Sequence, residues 1–243
     1  MVEQARRDPT WRFAHIVVDE AQDVSPMQWR ALARRGRKHS MTIVGDPDQM
    51  SRPSDVPWID RITSGLGIET CEERSLDVNY RTPAEVVRPA QRLRARFSSG
   101  KPVGTTRYVR AGTTPWATRC EVLDEATVRT AVERAERELG DRGRIAVISS
   151  SHDAALVTTS LRQTTGSDSP SGADRLTRSV AAYLADEVKG LEFDSVVVID
   201  PEAIIDEYGW RQLYVVMTRP TTSLGLVVVG EPTDYEAEWL GAT

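Results

Sequence analysis

Five short runs of β-branched and aliphatic residues constrain this chain more than any other feature. They lie at Phe13–Val18, Met41–Val44, Arg144–Ile148, Ser195–Ile199 and Leu224–Val229, each 4–6 residues long and nearly continuous. A strand with one face in water alternates apolar and polar residues. A continuous run belongs to a strand covered on both faces, and so to a parallel sheet with helices on each side. Segments of helical spacing separate the runs. Pro26–Arg35 has Met27 and Ala31 one turn apart, with Trp29 and Leu32 beside them. Thr82–Phe97 opens on Pro83 near a helix start, with Thr82 and Glu85 at capping-box spacing. Asp124–Leu139 carries Ala126, Val128, Ala131, Val132, Ala135 and Leu139 at helical spacing, with Glu133 four residues before Arg137. This alternation of strand and helix predicts an α/β fold.

Two stretches read as loops: Ser98–Thr118, with several Gly and Pro, and residues 163–175, QTTGSDSPSGADR, nearly devoid of apolar side chains. Only two strands precede Ser75–Pro83, and the pattern restarts after it. A domain change is therefore expected there, giving a first domain over residues 1–75 and a second over 76–243.

Composition limits the partners. The formal charge is −5, which excludes a dedicated basic coat for nucleic acid but not a local basic patch. Only three of the 31 cations are lysines, at positions 38, 101 and 189. Two cysteines, Cys71 and Cys120, exclude a disulfide framework and a four-cysteine metal site. No apolar run approaches the length of a transmembrane helix. Arg6, Arg7, Asp8, Asp19 and Glu20 leave no apolar core for a secretory leader, so the expected compartment is the cytoplasm, without membrane association.

Residues 13–23, FAHIVVDEAQD, place adjacent acids where a strand ends. Ligands of parallel sheets gather at the carboxyl ends of strands. Nucleoside triphosphate hydrolysis needs two carboxylates there: one to hold Mg²⁺, usually through water, and one to polarise the attacking water. Asp19 and Glu20 fit those tasks in that order. A bare apolar run ending in Asp-Glu is also an ordinary polar strand end; Ala21, Gln22 and Asp23 tilt the reading toward chemistry. Residues 41–49, MTIVGDPDQ, form a second strand closed by Gly45, and Gln49 is suited to a γ-phosphate or its attacking water. As an alternative, the segment is a plain Gly-Asp-Pro turn. In Asn79-Tyr80-Arg81-Thr82-Pro83, Thr82 caps a helix while Arg81 points outward as a charge-stabilising finger. In VKGLEFD, residues 188–194, Gly190 lets backbone approach a ligand, and Glu192 is placed to accept from a ribose or to orient an arginine. In LYVVMTRPT, residues 213–221, Arg219 ends an apolar helix, as a dipole partner or as a second phosphate-facing arginine.

Together these segments resemble, in order and spacing, the superfamily 1 helicases of the UvrD/Rep type. DEAQD is similar to their motif II, a Walker B variant, and VGDPDQ to motif III. NYRT, VKGLEFDSVVV and YVVMTRPTTSL are similar to motifs IV, V and VI. SPMQWRALARR, YRTPAEVV and LEFDSVVVIDPEAI further resemble the actinobacterial HelD (helicase-IV-like) proteins, which bind RNA polymerase and use nucleotide turnover to clear it from nucleic acid. The resemblance implies a RecA-like (P-loop NTPase) parallel sheet with helices on both faces: the end of one such domain and a nearly whole second one. It implies ATP and Mg²⁺ as cofactors and DNA as a partner, with RNA polymerase as a further one. Asp19 would bind Mg²⁺, Glu20 would activate water, and Gln49 would sense the γ-phosphate. Arg81 and Arg219 would be paired arginine fingers at an inter-domain ATP site, with Gly190, Glu192 and Tyr80 at the nucleotide; Tyr80 either stacks near the base or packs.

The sequence also departs from that pattern. It has no G-x-x-x-x-G-K-[ST]; its one Gly-Lys is Gly100-Lys101, followed by Pro102, which supplies neither hydroxyl nor backbone donor. The family places its phosphate loop upstream, so the chain reads as a carboxy-terminal portion with little ATPase of its own. After motif III, where the family carries a base-stacking aromatic, this chain reads Met50-Ser51-Arg52-Pro53. Trp58 is then a candidate stacker or a core or interface tryptophan. Three functions follow: the motor half of an ATP-driven helicase or translocase, a HelD-like ATPase that remodels RNA polymerase without unwinding, and a non-enzymatic protein-binding module on the same fold.

Overall fold

A computed structural model of the chain describes residues 12–36, 40–50, 56–97, 107–140, 143–165, 179–234 and 236–237. The chain divides into two compact units, Met1–Ser75 and Leu76–Thr243.

The first unit contains β1 (Ile16–Val18), α1 (Pro26–Arg35), β2 (Met41–Ile43) and α2 (Trp58–Leu66). β1 and β2 pair in parallel, with Ile16 opposite Met41 and Val18 opposite Ile43. α1 starts where the sequence dictates. Ser25 Oγ accepts the Gln28 amide, the Gln28 side chain accepts the Ser25 amide, and Pro26 occupies the first turn. Its inward residue is Trp29, only 1 % exposed, whereas Met27 stands outside. Trp29 packs with Val18, Ala21, Ile62 and Leu66. The expectation of strands covered on both faces fails here: Val17 is 67 % exposed, and Phe13 and Val44 are also exposed. The described core, built on α1 and α2, covers only the Val18 face of the pair.

The second unit contains β3 (Val78–Asn79), α3 (Ala84–Phe97), β4 (Arg107–Tyr108), β5 (Trp116–Cys120), α4 (Glu125–Leu139), β6 (Ile145–Ser149), α5 (Ala154–Thr165), β7 (Val180–Leu184), β8 (Phe193–Ile199), α6 (Pro201–Tyr208), α7 (Trp210–Met217) and β9 (Pro220–Val229). β3 pairs with β4, and a five-stranded parallel sheet runs in the order β5-β9-β8-β6-β7. Successive side chains of a strand point to opposite faces. Accordingly Ile145 and Val147 meet α4 and α5, while Ala146 and Ile148 meet α3 and α7. Here the expectation of a doubly covered parallel sheet holds.

Four strands escape the sequence reading: the two-residue β3 and β4, and β5 and β7. β5 falls partly inside the expected Ser98–Thr118 loop because an edge strand needs no continuous apolar run; Thr118 and Arg119 are exposed. β7 reads Val-Ala-Ala-Tyr-Leu, with two small alanines at its centre in place of a continuous β-branched run. α5 extends into the second expected loop as far as Thr165. Residues 98–106 and 166–175 of those two loops, including Gly100, Lys101 and Pro102, lie outside the described residues, as do Ser51, Arg52 and Pro53. On α4 the i,i+4 ion pair is Arg134–Glu138, not Glu133 with Arg137. Among the described residues, no helix is long and apolar enough to cross a membrane.

Candidate functional site

In the first unit the chemistry-bearing residues leave the carboxyl ends of β1 and β2. Val18 is buried, and Asp19 and Glu20 follow it into solvent. The strand pairing does not stop abruptly: Val44 donates its amide to Val18 O, and Ala21 donates to Val44 O. Glu20 sits at φ 50°, ψ 38°, left-handed territory that a non-glycine residue enters at a cost. That turn brings the Glu20 amide onto Asp19 Oδ1 at 2.8 Å.

A buried side chain holds the arrangement. Gln22 is 2 % exposed. Its Nε2 donates to Glu20 Oε2 at 2.6 Å, and its Oε1 accepts the Asp46 amide at 3.1 Å. Asp46 in turn accepts from Gln49 Nε2 at 2.9 Å. Glu20, Gln22, Asp46 and Gln49 therefore form one hydrogen-bonded chain that ties the loop after β1 to the loop after β2. Gly45 is required by this approach: a Cβ there would stand 2.7 Å from Gln22 Oε1 and 2.9 Å from the Trp58 ring. Trp58 packs against the first unit's core, so the core reading of that residue holds. Sequence reasoning assigned roles to Glu20 and Gln49 but none to Gln22, the residue that connects them. Its signal was a polar residue beside Ala21 at the start of a buried 3-10 turn, a position an amide occupies only if both its ends are satisfied.

In the second unit the candidate residues gather at the amino ends of β8 and β9. Gly190, at φ 76°, turns the chain into β8. Three arginines converge on the residues that follow. Arg219 Nη1 donates to Leu191 O at 3.4 Å, Arg144 Nη2 to Glu192 O at 3.1 Å, and Arg81 Nη1 to Glu192 Oε1 at 2.6 Å. Arg81 and Glu192 are both nearly half exposed. Arg219 differs: it is 3 % exposed, and its Nε also donates to Val215 O at 3.0 Å. Its guanidinium thus ties the end of α7 to the loop before β8. Asn79 shapes the turn that carries Arg81, its Oδ1 accepting the amides of Arg81 and Thr82, each at 2.9 Å. Thr82 is buried, the helix begins at Ala84, and the Glu85 carboxylate takes the Gly112 amide, so the expected capping box is replaced by this asparagine turn. Tyr80 is 68 % exposed, which disfavours a packing role.

The acids fit a magnesium ion that a nucleotide brings with it. Among the described residues no group of three or more His, Cys, Asp and Glu could hold a metal by itself. Magnesium is commonly bound by one or two carboxylates plus substrate phosphates, and Asp19 is exposed at a strand end where such a complex could reach it.

Residues 2–51 match the family model of the UvrD/REP helicase N-terminal domain. No curated protein sequence matches the chain. Among solved structures it is similar to the C-terminal domain of a possible DNA helicase from Lactobacillus plantarum WCFS1, at 23 % identity over 65 % of this chain and 92 % of that one, with a TM-score of 0.50. It is also similar to the PRRSV helicase, at 14 % identity over 87 % of this chain and 34 % of that one (TM-score 0.45). A third similarity is to Arterivirus nonstructural protein 10, a helicase, in complex with DNA, at 15 % identity over 95 % of this chain and 43 % of that one (TM-score 0.45). The chain spans well under two thirds of the length of either viral helicase. The first structural similarity agrees with a parallel α/β sheet of the RecA-like type. The family match lies on the segment that carries Asp19, Glu20 and Gln49.

Proposed function

We propose that this chain is the carboxy-terminal motor portion of an ATP-dependent superfamily 1 DNA helicase or translocase. The carrying observation is the hydrogen-bonded chain Glu20–Gln22–Asp46–Gln49, which links two acids and two glutamines at adjacent strand ends. In this reading Asp19 holds the magnesium ion of the bound nucleotide, which supplies charge neutralisation on the phosphates. Glu20 takes the proton of the attacking water, and Gln22 keeps its carboxylate oriented. Gln49 senses the terminal phosphate. The second unit contributes Arg81 to stabilising phosphate charge, and Gly190, Glu192 and Tyr80 to holding the nucleotide, with Arg219 as the second arginine that the sequence pattern pairs with Arg81. The burial of Arg219 favours a supporting role, securing the 190–192 loop, with Arg81 as the arginine free to reach phosphate by leaving Glu192.

Steady-state Mg-ATP hydrolysis, with and without single-stranded DNA and beside Glu20→Gln, tests this. The expected result is turnover no higher than the Glu20→Gln control for this chain, since it holds no phosphate-cradling G-x-x-x-x-G-K-[ST] loop. In a protein carrying this chain and such a loop, the expected result is DNA-stimulated turnover that Glu20→Gln abolishes. Turnover indifferent to Glu20→Gln would overturn the assignment. A second reading keeps the ATPase and changes its task to remodelling RNA polymerase. The HelD-like phrases and the net charge of −5 favour it. Absence of duplex unwinding together with ATP-dependent release of polymerase would select it.

A further inference from the structure

A cavity of about 80 Å³ opens in the second unit where α3 meets the first residues of the edge strand β5. Its wall is apolar, formed by Pro89, Pro115, Trp116 and Leu226. Its mouth carries Arg88 and Arg92, one helical turn apart and both exposed. Arg92 makes no hydrogen bond or ion pair with any described residue. Glu85, the acid of the rim, is already committed to the Gly112 amide, and its own backbone amide together with that of Gly112 holds its carboxyl below the ordinary carboxylate range. α3 as a whole bears one Glu against four Arg in a chain of net charge −5. β5 lies at the end of the sheet order, with no strand on its outer side among the described residues.

We propose that this cavity is a docking site for an extended acidic segment of a protein partner that inserts one aliphatic side chain. Size selects the inserted group. A dry cavity of about 150 Å³ accommodates benzene, so a hole near half that volume suits a branched aliphatic side chain and is too small for a nucleobase. Charge selects its neighbours: carboxylates flanking the inserted side chain meet Arg88 and Arg92 as they leave water. The open edge of β5 suits an extended chain, which can place main-chain groups along an unpaired strand while one side chain enters a pocket. None of these residues belongs to the assembly proposed for nucleotide hydrolysis.

The test uses the 243-residue chain and fluorescence anisotropy with labelled pentapeptide probes. Asp-Asp-Leu-Asp-Asp is expected to bind saturably. Replacing its leucine by glycine should weaken binding roughly tenfold. Arg92→Glu should weaken it about tenfold, and so should Thr114→Trp, which fills the mouth without changing charge. Both positions are exposed, and far-UV circular dichroism with thermal melting checks that each variant keeps its fold; Arg92→Ala serves where Arg92→Glu does not. No saturable binding overturns the proposal. So does equal binding of the glycine probe, or a twelve-nucleotide oligo-dT displacing the peptide from the wild type but not from Arg92→Glu, which would make the arginines a polyanion site instead.

Discussion

The two units present their chemistry from opposite ends of parallel strands and secure it by different means. In the first, acids leave the carboxyl ends of β1 and β2, and one neutral amide, Gln22, ties the two loops. In the second, arginines enter at the amino ends of β8 and β9, and one buried cation, Arg219, ties helix to loop through backbone carbonyls. The cores differ as well. Five buried apolar residues form the first unit's described cluster, against nineteen and thirteen on the two faces of the second unit's sheet. Each fully buried aliphatic side chain contributes about 1.5–3 kcal/mol, so the first unit rests its polar loops on the weaker foundation. A site whose residues must shift when ligand arrives belongs at the low-stability end of a protein.

The largest expected effect tests that inequality directly. Hydrogen exchange should show β6 and β8 amides protected by several kcal/mol more than those of β1 and β2, on the order of the difference between global and local opening. Equal protection would erase the contrast.

Arg219→Ala comes next. It removes the side-chain donor of the Leu191 carbonyl and one of the three donors on Val215 O, which keeps the Thr218 amide and hydroxyl, and with the buried side chain lost it should cost roughly 2–4 kcal/mol in the melting of the second unit. Arg219→Lys should recover only part, because one ammonium cannot reproduce the spread of a guanidinium.

Gln22→Ala should cost about 1–3 kcal/mol, confined to the first unit and read by chemical shifts of β1, β2 and the Trp29 indole. A smaller cost than Arg219→Ala is the signature of an amide rather than a charge at the centre.

Glu236 sharpens the contrast from the other side, as a buried carboxyl whose Oε1 has no hydrogen-bond partner among the described residues. Its Oε2 accepts from the Thr233 amide and hydroxyl. Burial pushes the Glu236 carboxyl up, and the Asp200 charge adds to the effect. Burial likewise raises Glu202, reinforced by Glu236. The folded state therefore holds its proton more tightly than the unfolded chain, and stability falls as pH rises from the unfolded carboxylate value toward the folded one. Glu236→Gln removes that loss. It should stabilise the chain by about 1 kcal/mol at pH 7, with the gain vanishing in melts below about pH 4.

The smallest effect belongs to Arg81 and Glu192. Both are nearly half exposed, so a double-mutant cycle should return only 0.2–1 kcal/mol, typical of exposed pairs. A coupling several times larger would mean that Arg81 is clamped and not available to exchange partners.

Much of this was legible in sequence. Val196–Ile199 and Ala146–Ile148 announced a doubly covered sheet because they leave no polar side chain for either face. Ser25, Pro26 and Gln28 announced a helix start through local hydrogen bonding alone. Asp19, Glu20 and Gln49 stood out because acids and amides at strand ends follow from chain direction. Gln22 did not stand out: its role depends on Asp46, 24 residues away, and on the absence of a Cβ at Gly45. β5 was hidden because an edge strand is held by one neighbour and keeps polar side chains.

By itself, then, the sequence determined element type, strand direction and the ends at which reactive residues emerge, because those depend on periodicity and on contacts within a few residues. Only the tertiary structure decided that Arg219 is buried while Arg81 is exposed, that Gln22 joins two loops, and that Arg88 and Arg92 stand over an apolar hollow. Two arginines of the same chemistry part company through burial, and burial is set by whatever distant chain closes over them.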